Sequence, residues 1–107
     1  MDVAGWDADL PALLKREGAE ETRASSFKAA TAIGRRTFNL IGGSADLGSS
    51  NKTYEKALGD VKAGEYRGQN IHYGVREHGM GSITNGLSLH GGIRPWCATF
   101  LIFSDYM

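Results

Sequence analysis

The fold is decided by residues 70–92, which read NIHYGVREHGMGSITNGLSLHGG. The first four, Asn70–Tyr73, include a β-branched and an aromatic residue, and Gly74 follows them directly. Short buried strands have this composition and commonly end at such a glycine. The stretch therefore predicts a strand whose carboxyl end reaches a site.

The residues after this strand predict a helix that begins near Arg76. Its apolar residues recur three and four positions apart, which puts them on one helical face: Met80, Ile83 and Leu87. The helix therefore opens with Arg76, Glu77 and His78. Open α/β sheets hold ligands just beyond the carboxyl ends of their strands. The Glu77 carboxylate thus lies where a ligand is expected.

Small residues form a second stripe on the same helix, at Gly79, Ser82 and Gly86. Each interior glycine costs a helix about 1 kcal/mol relative to alanine, so this helix is poor by propensity. We expect another helix, from this subunit or a partner, to approach closely along the stripe and compensate. A loosely built loop is the alternative.

The composition excludes several classes of partner. The 107 residues carry 12 basic and 12 acidic side chains, so neither nucleic acid nor an anionic membrane is a favoured partner. The single cysteine forms no internal disulfide, and no long apolar run or signal sequence is present, which suits a soluble cytoplasmic protein. Because a parallel α/β sheet normally needs more strands than this chain offers, we expect a piece of a larger protein.

Two further strands are predicted. Thr37–Ile41 alternates in polarity and is followed by Gly42-Gly43-Ser44-Ala45-Asp46-Leu47, which indicates a tight turn. Asp46 there either meets a ligand or satisfies turn amides. The apolar run Trp96–Phe103 predicts a strand covered on both faces. Three aromatic residues near the end of this run either line a ligand site or pack in the core: Phe100, Phe103 and Tyr106.

An earlier helix is predicted from Thr22, which we expect to cap it, to Gly34, which we expect to end it. Arg23 in its first turn opposes the helix dipole, so the side chain either answers an anion or is solvated. Residues 1–21 read as a linker with a short helical turn, and residues 22–107 as the domain. Tyr54–Val61 is expected to form a short helix.

Other motifs have little support. Gly79-Met80-Gly81 opens a helix after a strand, but the third glycine of a dinucleotide fingerprint is missing. The three histidines lack the spacing of a zinc site, and no serine sits in a nucleophile elbow. A nucleotide-binding α/β domain remains a distant alternative.

Four segments together resemble one family, the middle, pyrimidine-binding domain of transketolase, and the resemblance covers Trp6–Met107. Dihydroxyacetone synthase shares much of the pattern. The segments are Thr22-Arg23; Gly42-Gly43-Ser44-Ala45-Asp46-Leu47 with Ser50-Asn51 and Thr53; Asn70-Ile71-His72-Tyr73-Gly74-Val75-Arg76-Glu77-His78 with Met80-Gly81; and Thr99-Phe100 with Phe103 and Tyr106.

The resemblance implies roles for individual residues. Glu77 matches the catalytic glutamate that contacts a ring nitrogen of the cofactor's aminopyrimidine and promotes its imino form. Arg23 and Ser50 match contacts to the phosphate of the sugar substrate. The residues that match the cofactor-binding segments, with Phe103 as the stacking partner, are Asp46, Leu47, Phe100, Phe103 and Tyr106.

The resemblance also implies the reaction and the partners. Transketolase uses thiamine diphosphate to transfer a two-carbon ketol unit from a ketose phosphate to an aldose phosphate in the pentose phosphate pathway. Its cofactor lies between the two subunits of a homodimer, and the second subunit supplies the diphosphate half-site. The Gly-Asp-Gly motif that binds Mg²⁺ or Ca²⁺ has no counterpart here, because Val61 follows Gly59-Asp60. We therefore expect a truncated fragment without a metal site and without turnover of its own, or alternatively a non-catalytic binding or assembly module.

Overall fold

The computed structural model describes residues 4–13, 15 and 18–107. Within them, α-helices and parallel strands both occur, as the predicted α/β class requires. The helices are α1 (Leu10–Leu13), α2 (Thr22–Arg36) and α3 (Glu77–His90), and the strands are β1 (Leu40–Ser44), β2 (Asn70–His72) and β3 (Arg94–Ala98). Short 3₁₀ turns cover Lys56–Leu58 and Leu101–Tyr106.

The described strands form one parallel sheet in the order β2-β1-β3. Ser44, the last residue of β1, lies opposite His72 of β2 and Ala98 of β3. All three strands therefore end at the same level, and the loops that follow them leave from one rim of the sheet. The predicted parallel sheet flanked by helices is confirmed.

The central strand, β1, includes Gly42 and Gly43, which we expected to form a tight turn. The prediction of a strand at Thr37–Ile41 is wrong in its bounds, because β1 spans Leu40–Ser44. A Cβ atom on Gly42 would lie 2.1 Å from the carbonyl oxygen of Trp96, and one on Gly43 would lie 1.8 Å from that of Ile71. Glycine is needed here because both neighbouring strands approach β1 closely.

The last strand is also shorter than the apolar run predicts. It covers Arg94–Ala98, and the chain then turns at Leu101–Tyr106 instead of extending to Phe103. Ala98 pairs with Ser44, where β1 itself ends, so no ladder partner remains beyond that point. Pro95 is accommodated because β3 is an edge strand of the described sheet.

Helix α2 differs from its prediction at both ends. Thr22 is its first residue and Glu21 its N-cap, and the helix continues through Gly34 to Arg36. Gly34 serves instead for close packing, since a Cβ there would lie 2.8 Å from the Leu58 side chain. The Gln69 amide draws together the end of this helix and the start of β1: its Nε2 donates to the carbonyl oxygens of Gly34, Thr37 and Leu40.

Helix α3 begins where the sequence predicts, with Arg76 as its N-cap. Met80 is fully buried and forms the small core together with Ala45 and Tyr73. The expected helix–helix approach is not seen within residues 18–107, because a Cβ on Gly86 would meet nothing within 4 Å. The far part of this helix therefore keeps an open face.

The region Tyr54–Val61 holds only the turn Lys56–Leu58 rather than a longer helix. In the part of the chain that the structure describes, no helix is both long and apolar enough to cross a membrane.

Candidate functional site at the carboxyl rim of the sheet

The loop after β1 is held by the last residue of that strand. The Ser44 hydroxyl oxygen accepts from the Leu47 N–H at 3.2 Å and from Asn51 Nδ2 at 3.0 Å. The Ala45 N–H donates to Ala98 across the sheet at 3.3 Å. Asp46 takes a positive φ of 60°, and its side chain is exposed at the rim. This loop therefore presents Asp46 outward while half-buried Leu47 is tied back to the strand.

The structure brings Arg23 and Ser50 together. Arg23 Nη1 donates to the Ser50 carbonyl oxygen at 2.9 Å, although 27 positions separate the two residues. The same guanidinium makes two hydrogen bonds to the Glu21 carboxylate, at 2.7 and 3.2 Å. These bonds lower the pKa of Glu21 and raise that of Arg23. The anion that Arg23 answers in this structure is thus Glu21, the N-cap residue of its own helix.

Glu77 is the first residue of α3 and is half-buried. Its carboxylate makes no hydrogen bond or ion pair with any residue that the structure describes. The preceding loop is tight: Gly74 has a φ of 69°, and Arg76 Nη1 donates to the Tyr73 carbonyl oxygen at 2.7 Å. This leaves the Glu77 carboxyl available to a ligand at the amino terminus of a helix, where negative charge is favoured.

The aromatic segment after β3 packs beside the start of α3. The Met107 carbonyl oxygen lies 2.8 Å from His78 Nδ1, and the Met107 methyl group lies 3.3 Å from where a Cβ of Gly81 would be. Phe100 and Phe103 are half-buried, whereas Tyr106 is exposed. The segment that carries the expected aromatic residues therefore contacts α3, the helix that begins at Glu77.

Thr99 adds a polar group to this aromatic segment. Its hydroxyl is buried and makes no hydrogen bond within the part of the chain that is described. A buried hydroxyl without a partner is unusual in proteins, so Thr99 offers a polar group that could bond to a ligand at this segment.

A hollow of about 210 Å³ lies between the loops after β1 and β2. Ser44, Asp46 and Tyr54 are among its lining residues, together with His72. His72 Nε2 lies 3.1 Å from Asp60 Oδ1, and this contact is the main cause of the lowered pKa of Asp60. The sequence carried no local signal for this pair, because its members are 12 positions apart on a loop and a strand.

Asn51 is a further residue to which sequence reasoning gave no role. It appeared within the segment that resembles the family, yet only the structure shows that its side chain is buried and hydrogen-bonded through both its nitrogen and its oxygen. Among the described residues, no three His, Cys, Asp or Glu side chains come together to hold a metal ion. The prediction that the metal binds outside this chain stays a prediction.

Comparison with known proteins identifies the family. Residues 19–107 match the model of the transketolase pyrimidine-binding domain. The transketolase of Nostoc sp. is 51% identical over 104 residues, which is 96% of this chain and 16% of that protein. The chloroplastic transketolase-1 of Arabidopsis thaliana is 45% identical over 105 residues, or 97% of this chain and 14% of that protein.

Solved structures agree with this match. A Pichia stipitis transketolase in complex with xylulose-5-phosphate superimposes with a TM-score of 0.85 at 38% identity, over 96% of this chain and 16% of that one. The chain thus spans about one sixth of the length of the relatives that it matches. With its rim geometry and its matched residues, this chain belongs to the transketolase pyrimidine-binding domain family.

Proposed function

We propose that this chain supplies the pyrimidine half of a transketolase active site. The parent enzyme uses thiamine diphosphate to move a two-carbon ketol unit from a ketose phosphate to an aldose phosphate. The observation that carries the proposal is the common rim, where three parallel strands end level with one another. The segments leaving it bear Asp46, Glu77 at the start of α3, and Phe100. Family membership supports the reaction, because the relatives are named transketolases.

The rim residues suit an aminopyrimidine ring, which has apolar faces and hydrogen-bonding atoms at its edge. Half-buried Phe100 and Phe103 offer apolar surface to the faces. The Glu77 carboxyl and the buried Thr99 hydroxyl, neither bonded within the described residues, offer groups to the edge. When bound, thiamine diphosphate supplies a nucleophilic thiazolium carbon. The residues that would hold its pyrimidine are Asp46, Leu47, Glu77, Phe100, Phe103 and Tyr106.

The role of Glu77 is to hold a proton at a ring nitrogen of the pyrimidine. Exclusion of water favours the protonated carboxyl, whereas the amino terminus of α3 favours the carboxylate. Glu77 is half-buried in this chain. Closure of the site by the ring and by a second subunit would remove the remaining water and shift the balance toward the shared proton.

Arg23 and Ser50 serve the phosphate of the sugar. A guanidinium suits this task because it forms paired hydrogen bonds to phosphate oxygens. Arg23 already binds a carboxylate in the same paired manner through Glu21. A phosphate would therefore share or replace that internal anion, and Glu21 sets how strongly the site competes for sugar phosphates.

The partners follow from the half-site. A second subunit of a homodimer would provide the diphosphate site together with Mg²⁺ or Ca²⁺, so the chain by itself should not turn over. We also propose that the parent enzyme acts in the cytoplasm and in the pentose phosphate pathway. The family does not fix the compartment, since one relative is named chloroplastic.

A chimera tests the proposal. Residues 19–107 of this chain would replace the aligned segment of the Nostoc transketolase, and thiamine diphosphate binding and ketol transfer would be measured. We expect both, and no transfer by the chain alone. A folded chimera that binds the cofactor without transfer would indicate a non-catalytic module, and one that does neither would contradict the proposal.

A further inference from the structure

Asn51 is a buried amide at the centre of the loop that follows β1. Only 7% of the residue is exposed, although it lies in a polar loop at the surface. Burial of an amide is unfavourable unless its donors and acceptor are bonded. The bonds that Asn51 makes therefore show what the loop is built to hold.

The Asn51 side chain connects the strand end to the far side of the loop. Its Nδ2 donates to the Ser44 hydroxyl at 3.0 Å, and its Oδ1 accepts from the Thr53 hydroxyl at 2.6 Å. Its backbone N–H donates to the Leu47 carbonyl oxygen at 2.8 Å, and the Thr53 N–H donates to Gly48 at 2.9 Å. The loop is thus closed on the last residue of the central strand.

This closure fixes the carbonyl that orients Arg23. Ser50 directly precedes Asn51, and its carbonyl oxygen accepts from Arg23 Nη1 at 2.9 Å. Without that bond, the hydrogen bonds that the exposed guanidinium makes within the described residues would come only from Glu21, the N-cap residue of the same helix. A long arginine side chain retains many rotamers unless a rigid partner selects one.

We propose that Asn51 and Thr53 are positioning residues for phosphate recognition: they hold the Ser50 carbonyl so that Arg23 faces the substrate's phosphate in one orientation. The inference rests on the proposed function of this rim but adds residues that touch neither substrate nor cofactor. The orientation of the Arg23 side chain matters because paired hydrogen bonds to phosphate depend on the plane of the guanidinium.

The test uses the chimera and the near-isosteric substitution Thr53→Val, which removes the hydroxyl that donates to Asn51. Thr53→Ser retains the hydroxyl. Thr31→Val in α2 is a matched control, because the Thr31 hydroxyl makes no hydrogen bond within the described residues. For each variant, kcat and KM are measured with an aldose phosphate and with the same aldose lacking phosphate.

We expect Thr53→Val to lower the preference for the phosphorylated aldose by about five- to tenfold, the size of one weakened hydrogen bond to a charged group. The change should appear in KM, and Thr53→Ser and Thr31→Val should keep the preference. In an Arg23→Leu background, Thr53→Val should have no further effect, since the two residues act through one contact. Equal losses with both aldoses, or an additive effect in that background, would overturn the proposal.

A binding measurement on the chain itself separates this inference from the proposed function. Inorganic phosphate is titrated while the Arg23 side-chain N–H resonance is followed by NMR. Weaker phosphate binding in Thr53→Val than in Thr53→Ser supports the positioning role even if the chimera is inactive. Equal binding by the two variants contradicts it even if the chimera is active.

Discussion

The loop after β1 and the segment after β3 leave the same rim of the sheet but are held in different ways. The first is tied to its own strand by side-chain hydrogen bonds through Ser44 and buried Asn51. The second leaves Leu101 87% and Ile102 73% exposed, and the Met107 carbonyl oxygen lies within hydrogen-bond distance of His78 in α3. One side of the site is preorganised by this chain, whereas the other presents apolar surface.

This difference indicates how the two halves of the proposed site obtain their rigidity. Phosphate recognition needs fixed polar groups, and the β1 loop supplies them before any ligand arrives. Recognition of an aromatic ring needs apolar area, and burying such area contributes about 25 cal/mol per Å². In the proposed function, a cofactor or a second subunit would cover the exposed side chains after β3, and burial of this apolar area would stabilise the assembled site.

The largest expected effect concerns Glu77, the first residue of the helix that the segment after β3 contacts. In the chimera, Glu77→Ala should lower kcat by about 10²- to 10⁴-fold, the span of general acid–base groups. Thermal unfolding should change little, because the carboxylate makes no bond within the described residues. Glu77→Gln is the control for shape and should also be slow, since an amide does not exchange the proton. A kcat within threefold of the parent for both variants would remove Glu77 from the mechanism.

The second prediction concerns β1, the strand that precedes the hydrogen-bonded loop. Gly43→Ala should lower the free energy of unfolding by about 3 kcal/mol or prevent folding, because the new methyl group would lie 1.8 Å from the Ile71 carbonyl oxygen. Gly86→Ala is the matched control, since its Cβ would meet nothing within 4 Å. That control should raise the stability by up to about 1 kcal/mol through helix propensity. Urea unfolding of both variants makes the measurement, and similar midpoints would mean that β1 is not pressed between its neighbours.

The sequence predicted well those features that depend on neighbours in the chain. The start of α3 near Arg76 follows from apolar spacing and the preceding glycine, and the helix indeed begins at Glu77. The order of the elements at the rim also follows from local patterns. Local turn chemistry and helical periodicity are visible in any single sequence.

Features set by distant neighbours were predicted poorly. Gly42 and Gly43 read as a turn, yet they lie in the central strand because Trp96 and Ile71 approach them from other strands. Gly34 read as a helix end, yet it makes room for the Leu58 side chain. A single sequence shows that a residue is small but not what lies against it.

The site was predicted in part for the same reason. Arg23 and Ser50 could be paired only through the family resemblance, since 27 positions separate them. From the sequence, Arg23 could either bind an anion or be solvated. Only the structure shows that it binds the Glu21 carboxylate. The bonds of Asn51 to Ser44 and Thr53 depend on the path of the loop, which composition does not reveal.

The third prediction concerns the start of β1, at the opposite end of the strand from the hydrogen-bonded loop. Gln69→Met keeps the side-chain length but removes the donor shared by three buried carbonyls, and should cost about 1–3 kcal/mol of unfolding free energy. Asn85→Ala on the exposed face of α3 should change it by less than about 0.5 kcal/mol. Urea titrations compare the two, and equal small effects would show that β1 does not depend on this amide.

The fourth prediction concerns how the stability contributed by Asp60 depends on pH. Contact with His72 lowers the pKa of Asp60 in the folded chain, so its stabilising contribution is complete above the ordinary carboxyl pKa of about 4. It should disappear as the pH falls through the lowered folded value. The stability difference between wild type and Asp60→Asn, measured by urea midpoint, should therefore shrink from pH 6 to pH 3. The same comparison in a His72→Phe background should show much less pH dependence, and an unchanged difference there would assign the effect to another group.

The smallest expected effect concerns the exposed apolar side chains of the segment after β3. Leu101→Ser should change the unfolding free energy of the chain by less than about 0.5 kcal/mol, because the residue is 87% exposed. Met80→Ser, at a fully buried position, should cost at least about 2 kcal/mol. In the chimera, Leu101→Ser should weaken thiamine diphosphate binding or dimer formation, since the apolar side chain would then be covered. A large loss of stability in the chain alone would mean that this segment is already covered there, and the contrast with the β1 loop would disappear.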